Sequence, residues 1–223
     1  MDGNFTAMRQ SIIDGAPENA SVLASQALAQ GHHPLEVIDN GFVPGMTEVG
    51  QLFAKHQMFL PDMLAAAEAM KAAMAILEPE LKRQGEERPV AGTLVLGTAK
   101  GDIHEIGKTL VGTLLTANGF TVHDLGVDVP PQKFADKARE CKADIIGVSA
   151  LLTTTMRGQR LVVEALQRAG LRPSVKIIVG GAPVTQRWVE EIGADGYAKD
   201  AIGAVSLVKS LLAHKLTPAA VTL

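Results

Sequence analysis

The sequence predicts an α/β protein in two parts: an N-terminal four-helix bundle, residues 1–88, and a C-terminal doubly wound five-stranded parallel sheet, residues 89–223. Three observations predict it. Apolar residues recur at helical spacing before residue 90, and short β-rich runs alternate with helical ones after it. Between them Lys82–Pro89 (KRQGEERP) is charged, carries Gly and Pro, and has no apolar period, which marks a linker.

The first half divides at turn residues. Helical stretches over Phe5–Asp14, Glu18–Gln30 and Leu35–Phe53 are separated by Gly15-Ala16-Pro17 and Gly31-His32-His33-Pro34. A fourth, Asp62–Leu81, places Met63, Ala67, Met70, Met74 and Leu77 at alternating steps of four and three; Asp62 is its first-turn acid behind Pro61, and Pro79 is expected to end it. Four helices with short joins make a small bundle. In the second half strands are expected at Thr93–Thr98, Thr121–Leu125, Ile145–Ala150, Lys176–Val179 and Gly196–Ala198. The helices between and after them end near Asn118, Cys141, Ala169, Ile192 and Leu212. Val- and Ile-rich strands alternating with helices imply a sheet covered on both faces. Right-handed crossovers then give the strand order 2-1-3-4-5 of a Rossmann- or flavodoxin-like fold, with ligands beyond the carboxyl ends of strands 1 and 3.

Composition removes several function classes. Lys plus Arg (21) against Asp plus Glu (24) leaves a net charge of −3, with no basic excess for nucleic acid, and aromatic residues at 4% offer no base-stacking surface. With 47% hydrophobic and 20% charged residues the chain is core-forming rather than disordered. No apolar run reaches the ~18 residues of a membrane helix, and the opening MDGNFTAMRQSIIDG does not read as a secretory signal. One cysteine, Cys141, can form neither an internal disulfide nor a thiolate cluster, which fits a reduced, cytoplasmic setting.

The informative residues fall at three strand ends. After strand 1 comes Lys100-Gly101-Asp102-Ile103-His104-Glu105-Ile106-Gly107-Lys108, one residue too long between its glycines for a phosphate loop and without a G-x-G-x-x-G fingerprint. In an extended segment Asp102 and His104 point the same way, so the carboxylate can orient one ring nitrogen while the other faces a metal. A helix-capping Asp beside an incidental surface His explains the same pair. One His is too few ligands for a protein-only zinc site, so any metal must arrive with most of its ligands supplied. Strand 3 ends in Ser149-Ala150-Leu151-Leu152-Thr153-Thr154-Thr155; if it stays extended, Ser149, Leu151, Thr153 and Thr155 share one face, although a turn capping the next helix uses the same residues. Gly180-Gly181 after strand 4 leaves room for a flat group against backbone, or simply makes a turn.

Asp102-x-His104-x-x-Gly107, Ser149-x-Leu151 and Gly180-Gly181, in that order, resemble the three-part signature of the cobalamin-binding domain. Upstream, Gly45-Met46, Val49-Gly50, Phe53 and Met58-Phe59-Leu60-Pro61 resemble the helical cap of cobalamin-dependent methionine synthase. The likeness covers about residues 1–213 and is nearest to the stand-alone corrinoid proteins of methyltransferase systems. It implies a corrinoid carrier that takes a methyl group on cobalt(I) from a donor-specific methyltransferase. The carrier then passes it, as methyl-cobalt(III), to a second methyltransferase acting on tetrahydrofolate or a thiol coenzyme, and a reductive activating protein rescues oxidised cobalt. The implied cofactor is cobalamin, methylcobalamin when loaded, with cobalt held in the corrin.

The resemblance also implies residue roles. His104 is the lower cobalt ligand, Asp102 bonds His104, and Thr155 extends the relay where methionine synthase has serine. Gly101, Gly107, Ser149, Leu151, Thr153, Gly180 and Gly181 belong to the cofactor site, with Ser149, Leu151 and the glycine pair at the nucleotide tail. Phe53, Leu60 and Met63 match positions that shield the methyl-bearing face; bundle core is the other account of Met63. Lys82–Pro89 is the expected hinge for a lid that must open to donor and acceptor. Three rivals remain at this level: an adenosylcobalamin-dependent sensor, a mutase small subunit, and a flavodoxin-like domain without cobalamin. Methanol, methylamines, betaines and aryl methyl ethers are indistinguishable as donors.

Overall fold

The computed structural model describes residues 3–84 and 91–213. Its contacts cluster into two compact units, Met1–Pro89 and Val90–Leu223.

The first unit comprises α1 (Gly3–Ile13), α2 (Pro17–Ala29), α3 (Pro34–Glu36), a π-turn (Val37–Phe42), α4 (Val43–Ala54) and α5 (Leu60–Arg83). Proline stands in the first turn of α2, α3, α4 and α5, where its missing N–H costs no helical bond. The unit packs on small residues. Helices α2 and α5 lie together, burying Ala20, Ala24 and Ala27 on one and Ala66, Ala69 and Ala73 on the other. At Gly45 an added Cβ would meet the Arg9 carbonyl oxygen and Ile12 Cβ, both at 2.7 Å, so α1 and α4 touch at backbone distance.

Two features depart from the sequence expectation. The stretch expected as one helix over Leu35–Phe53 widens into the π-turn, where the Val43 N–H reaches back to the Ile38 carbonyl. Pro44 follows at once and has no N–H for a regular bond, so the irregularity sits where the ladder is already broken. Pro79, expected to end its helix, lies inside α5, which runs on to Arg83. The proline deletes one hydrogen bond, but Leu77 and Leu81 on either side of it are both buried and carry the apolar stripe through. The last turn is closed by Arg83 donating to Glu80 at 2.8 and 2.6 Å. Those bonds and a further one from Gln84 hold the Glu80 carboxyl at about 2. Lys82 and Arg83 therefore belong to the helix; of the expected hinge, residues 85–89 lie outside the described residues.

The second unit is β1 (Thr93–Thr98), α6 (Ile106–Ala117), β2 (Thr121–Asp124), α7 (Pro131–Glu140), β3 (Ile145–Ser149), α8 (Arg157–Arg168), β4 (Lys176–Gly180), α9 (Gln186–Ile192), β5 (Gly196–Ala198) and α10 (Ala201–Leu211). All pairings are parallel and the order is β2-β1-β3-β4-β5, as expected. Val95, Ile146, Ile177 and Phe134 form one core with Val162 and Leu166 of α8. Thr98 pairs with Ser149, and Ser149 with Gly180, so three strand ends lie side by side at one edge of the sheet. The loop carrying Asp102 and His104 leaves from that edge, where the strand order reverses between β1 and β3.

Candidate functional site: a histidine loop and a cleft beside it

The loop after β1 is held by a carboxylate with no exposed surface. Asp102 Oδ1 accepts the His104 backbone N–H at 3.0 Å and lies 2.6 Å from His104 Nδ1. Oδ2 accepts the Leu151 N–H at 2.8 Å and the Thr155 hydroxyl at 2.6 Å. Burial works against the charge, but the Thr155 hydroxyl, the His104 N–H and imidazole and the Leu151 N–H outweigh it and hold the Asp102 carboxyl well below the usual range. An ionised Asp102 places the proton of the neutral ring on Nδ1, which leaves the Nε2 lone pair free to bind a metal. The ring is presented rather than buried: His104 is 47% exposed at its side chain, against none for Asp102.

Thr155 reaches Asp102 by a route the extended reading did not anticipate. The chain leaves β3 at Ser149 and enters turns over 152–156, where the Thr155 and Met156 N–H groups both donate to the Leu152 carbonyl. The expected shared face of Ser149, Leu151, Thr153 and Thr155 therefore does not form. Hydroxyls that satisfy a tight turn win over continued strand geometry. Thr155 turns inward and is buried, whereas Thr153 is exposed and takes no part in the cleft wall. Gly101 lies at φ +85° in the same loop, and its N–H donates to Asp128 Oδ1 at 2.7 Å.

Beside His104 opens a cleft of about 640 Å³ between α6, α10 and the sheet. Leu96, Gly147 and Ile178 lie on its sheet side; Gly107, Ser149, Leu151, Gly180 and Gly181 also line it. The two glycines after β4 have different reasons. At Gly181 (φ +125°) a Cβ would stand 1.9 Å from the Ala150 carbonyl oxygen, so the backbone itself demands glycine. At Gly180 the nearest atom to an added Cβ is 3.9 Å away, so its bareness leaves open space. Gly107 is equally unobstructed. Lys199 and Asp200 also line the cleft, and Asp200 Oδ1 caps α10 by accepting the Gly203 N–H at 2.7 Å.

Phe53, Leu60 and Met63 belong to the helical unit. Phe53 is half-buried, Leu60 is 42% exposed on the first turn of α5, and Met63 opens the buried stripe of that helix. Sequence reasoning missed Asp128, at φ +53°, which fastens the histidine loop. It also missed Ile103 and Ile106, apolar side chains left 74% and 87% exposed on either side of His104. The signal for the isoleucines was present: they flank the polar pair His104-Glu105 where the loop joins α6.

The donor set fits a corrinoid. Among the described residues no three His, Cys, Asp or Glu side chains gather as a metal site. One imidazole nitrogen beside a large apolar-walled cleft suits a metal that carries its own equatorial ligands. The comparisons agree on the class. Residues 92–206 match the B12 binding domain, and residues 5–78 match a second B12 binding domain model. The chain belongs to the B12-binding domain family and binds a corrinoid. Among its relatives, trimethylamine corrinoid protein 1 of Methanosarcina acetivorans is 48% identical over 204 residues, spanning 92% of this chain and 94% of that protein. Dimethylamine corrinoid protein 2 of the same organism is 50% identical over 182 residues, 82% and 84% of the two chains. A cobalamin-binding protein from Desulfitobacterium hafniense superposes with a TM-score of 0.74 at 33% identity, covering 93% and 98%. The methanol:cobalamin methyltransferase complex MtaBC of Methanosarcina barkeri gives 0.86 at 28%, covering 96% and 83%. No described helix is long and apolar enough to cross a membrane.

Proposed function

We propose that this chain is the methyl-carrying corrinoid subunit of a methylamine-type methyltransferase system, with His104 as the lower cobalt ligand. The observation that carries the ligand role is the Asp102–His104 Nδ1 contact at 2.6 Å on a half-exposed ring. The donor class rests on relatives named for trimethylamine and dimethylamine at 46–50% identity over most of the chain.

When bound, the corrinoid supplies a cobalt nucleophile that takes up and surrenders a methyl group; the chain's work is to hold, tune and shield it. Nε2 of His104 would bind the cobalt. Asp102 holds the ring in one orientation through Nδ1, and Thr155 fixes Asp102. Ile103, Ile106 and Leu151, exposed beside His104, would offer the corrinoid apolar contact. The cleft past Ser149 and Gly180 would take the nucleotide tail once its base is displaced. Phe53, Leu60 and Met63 would shield the opposite, methyl-bearing face.

A donor methyltransferase, an acceptor methyltransferase and a reductive activator are the partners such a carrier needs. The test is methyl loading. Protein reconstituted with hydroxocobalamin and reduced is offered trimethylamine, dimethylamine, monomethylamine or methanol, each with the recombinant methyltransferase specific for it. Demethylation of an amine with a matching change in the corrinoid spectrum is expected. Loading by the methanol enzyme alone contradicts the donor assignment.

A further inference from the structure

One buried amide ties the β3–β4 wall of the cleft from behind. Gln159 stands in the first turn of α8 with no exposed surface. Gly158 before it lets α8 approach the sheet, since a Cβ there would meet Ala99 Cβ at 2.9 Å. Gln159 Nε2 donates to the Val148 carbonyl at 3.1 Å and to the Gly180 carbonyl at 3.0 Å, while Oε1 accepts the Trp188 indole N–H at 2.8 Å. Both amide protons are thus spent on adjacent strands. Reversing the amide would set its oxygen against two carbonyls and its NH₂ against an indole donor, so one orientation is enforced. Trp188 is covered in turn by the Arg160 guanidinium, 5.0 Å from the ring centroid, and Arg160 pairs with Glu191.

The two carbonyls are placed where they matter. Val148 and Gly180 directly precede Ser149 and Gly181, two residues of the cleft wall. The Ala150 N–H to the Gly180 carbonyl, at 3.0 Å, joins the chain at the ends of the two strands; past it one segment enters the 152–156 turns and the other the Gly181 turn. The amide therefore sets the strand spacing at the point where ladder bonding stops.

We propose that Gln159, anchored by Trp188, is a positioning residue for the corrinoid's nucleotide tail, acting through the Ser149–Gly181 wall. This rests on the reading that the tail occupies the cleft. A merely structural amide would weaken the fold and every ligand alike; a positioning amide weakens only what the wall touches.

The measurement is the affinity of the corrinoid-free protein for hydroxocobalamin, which has the tail, and for diaquocobinamide, which lacks it. Wild type is compared with Gln159→Leu and Trp188→Phe. Gln159→Leu is expected to lose about tenfold for hydroxocobalamin, the worth of roughly one hydrogen bond, and less than about twofold for diaquocobinamide. Trp188→Phe keeps an aromatic ring but removes the N–H, and is expected to cost a few-fold with the same selectivity; it carries the comparison if Gln159→Leu does not fold. Equal losses for both ligands, or no loss for either, overturn the clamp while leaving the cleft reading intact. Wild-type protein binding both ligands equally well overturns the cleft reading itself, and the clamp with it.

Discussion

The helical unit and the sheet unit are built on different kinds of contact. In residues 3–84 the only buried polar side chain is that of Ser11, and the packing is apolar, with alanine, methionine and glycine meeting at short range among larger side chains such as Ile12, Phe42 and Leu77. In residues 91–213 Thr98, Asp102, Lys108, Thr155 and Gln159 are all buried, and each has a hydrogen-bond partner. The first unit relies on shape, which tolerates sliding. The second uses directional bonds to hold a loop and two strand ends in one arrangement. Tuning a ligand needs the second kind, because a hydrogen bond fails within an ångström whereas an apolar contact gives way gradually.

The largest expected break in that contrast comes from the hub. Asp102→Ala removes four acceptor contacts at once from a buried site, at a cost of about 3 kcal/mol. Calorimetry should show the sheet unit melting earlier and the helical unit unmoved; a uniform shift of both would deny the local character of the network. The two glycines sharpen the comparison inside the sheet unit. Gly181→Ala places a Cβ 1.9 Å from a carbonyl oxygen at φ +125°, and should cost about 3 kcal/mol or more. Gly180→Ala meets nothing closer than 3.9 Å and should leave stability within about 0.5 kcal/mol while weakening hydroxocobalamin binding. Equal melting temperatures for the two variants would refute the distinction.

In the helical unit Gly45→Ala forces α1 and α4 apart at the Arg9 carbonyl and should cost about 1–3 kcal/mol, read by urea unfolding. A cost above that of Asp102→Ala would reverse the ranking of the two units. The smallest effect is at Cys141, where burial pushes the thiol up from its ordinary value. Iodoacetamide at pH 8 should alkylate it at least about tenfold more slowly in the folded protein than in urea; equal rates would show the thiol to be open.

What was legible in the sequence follows the same division. The five strands and their order could be read because buried parallel strands need Val and Ile runs and crossovers have one hand. Asp102 and His104 could be paired because two residues of extended chain bring side chains to one side. The tie between Thr155 and Asp102 could be named only by resemblance, since its path runs through a turn that hydroxyl residues compete to form. Asp128 and Gln159 carried no local signal: their partners lie 27, 11 and 21 residues away and meet them only in the folded sheet. Pro79 misled for the opposite reason. A local breaker was overruled by Leu77 and Leu81, whose burial depends on neighbours that periodicity alone does not reveal.

One nitrogen on cobalt distinguishes a protein-held corrinoid from one that keeps its own base. Protein carrying ¹⁵N-labelled histidine, loaded with unlabelled cobalamin and held as cobalt(II), should give an electron paramagnetic resonance spectrum split into doublets by a single ¹⁵N nucleus, and His104→Ala should abolish that splitting. Triplets from the unlabelled base of the cofactor, unchanged by either manipulation, would contradict it.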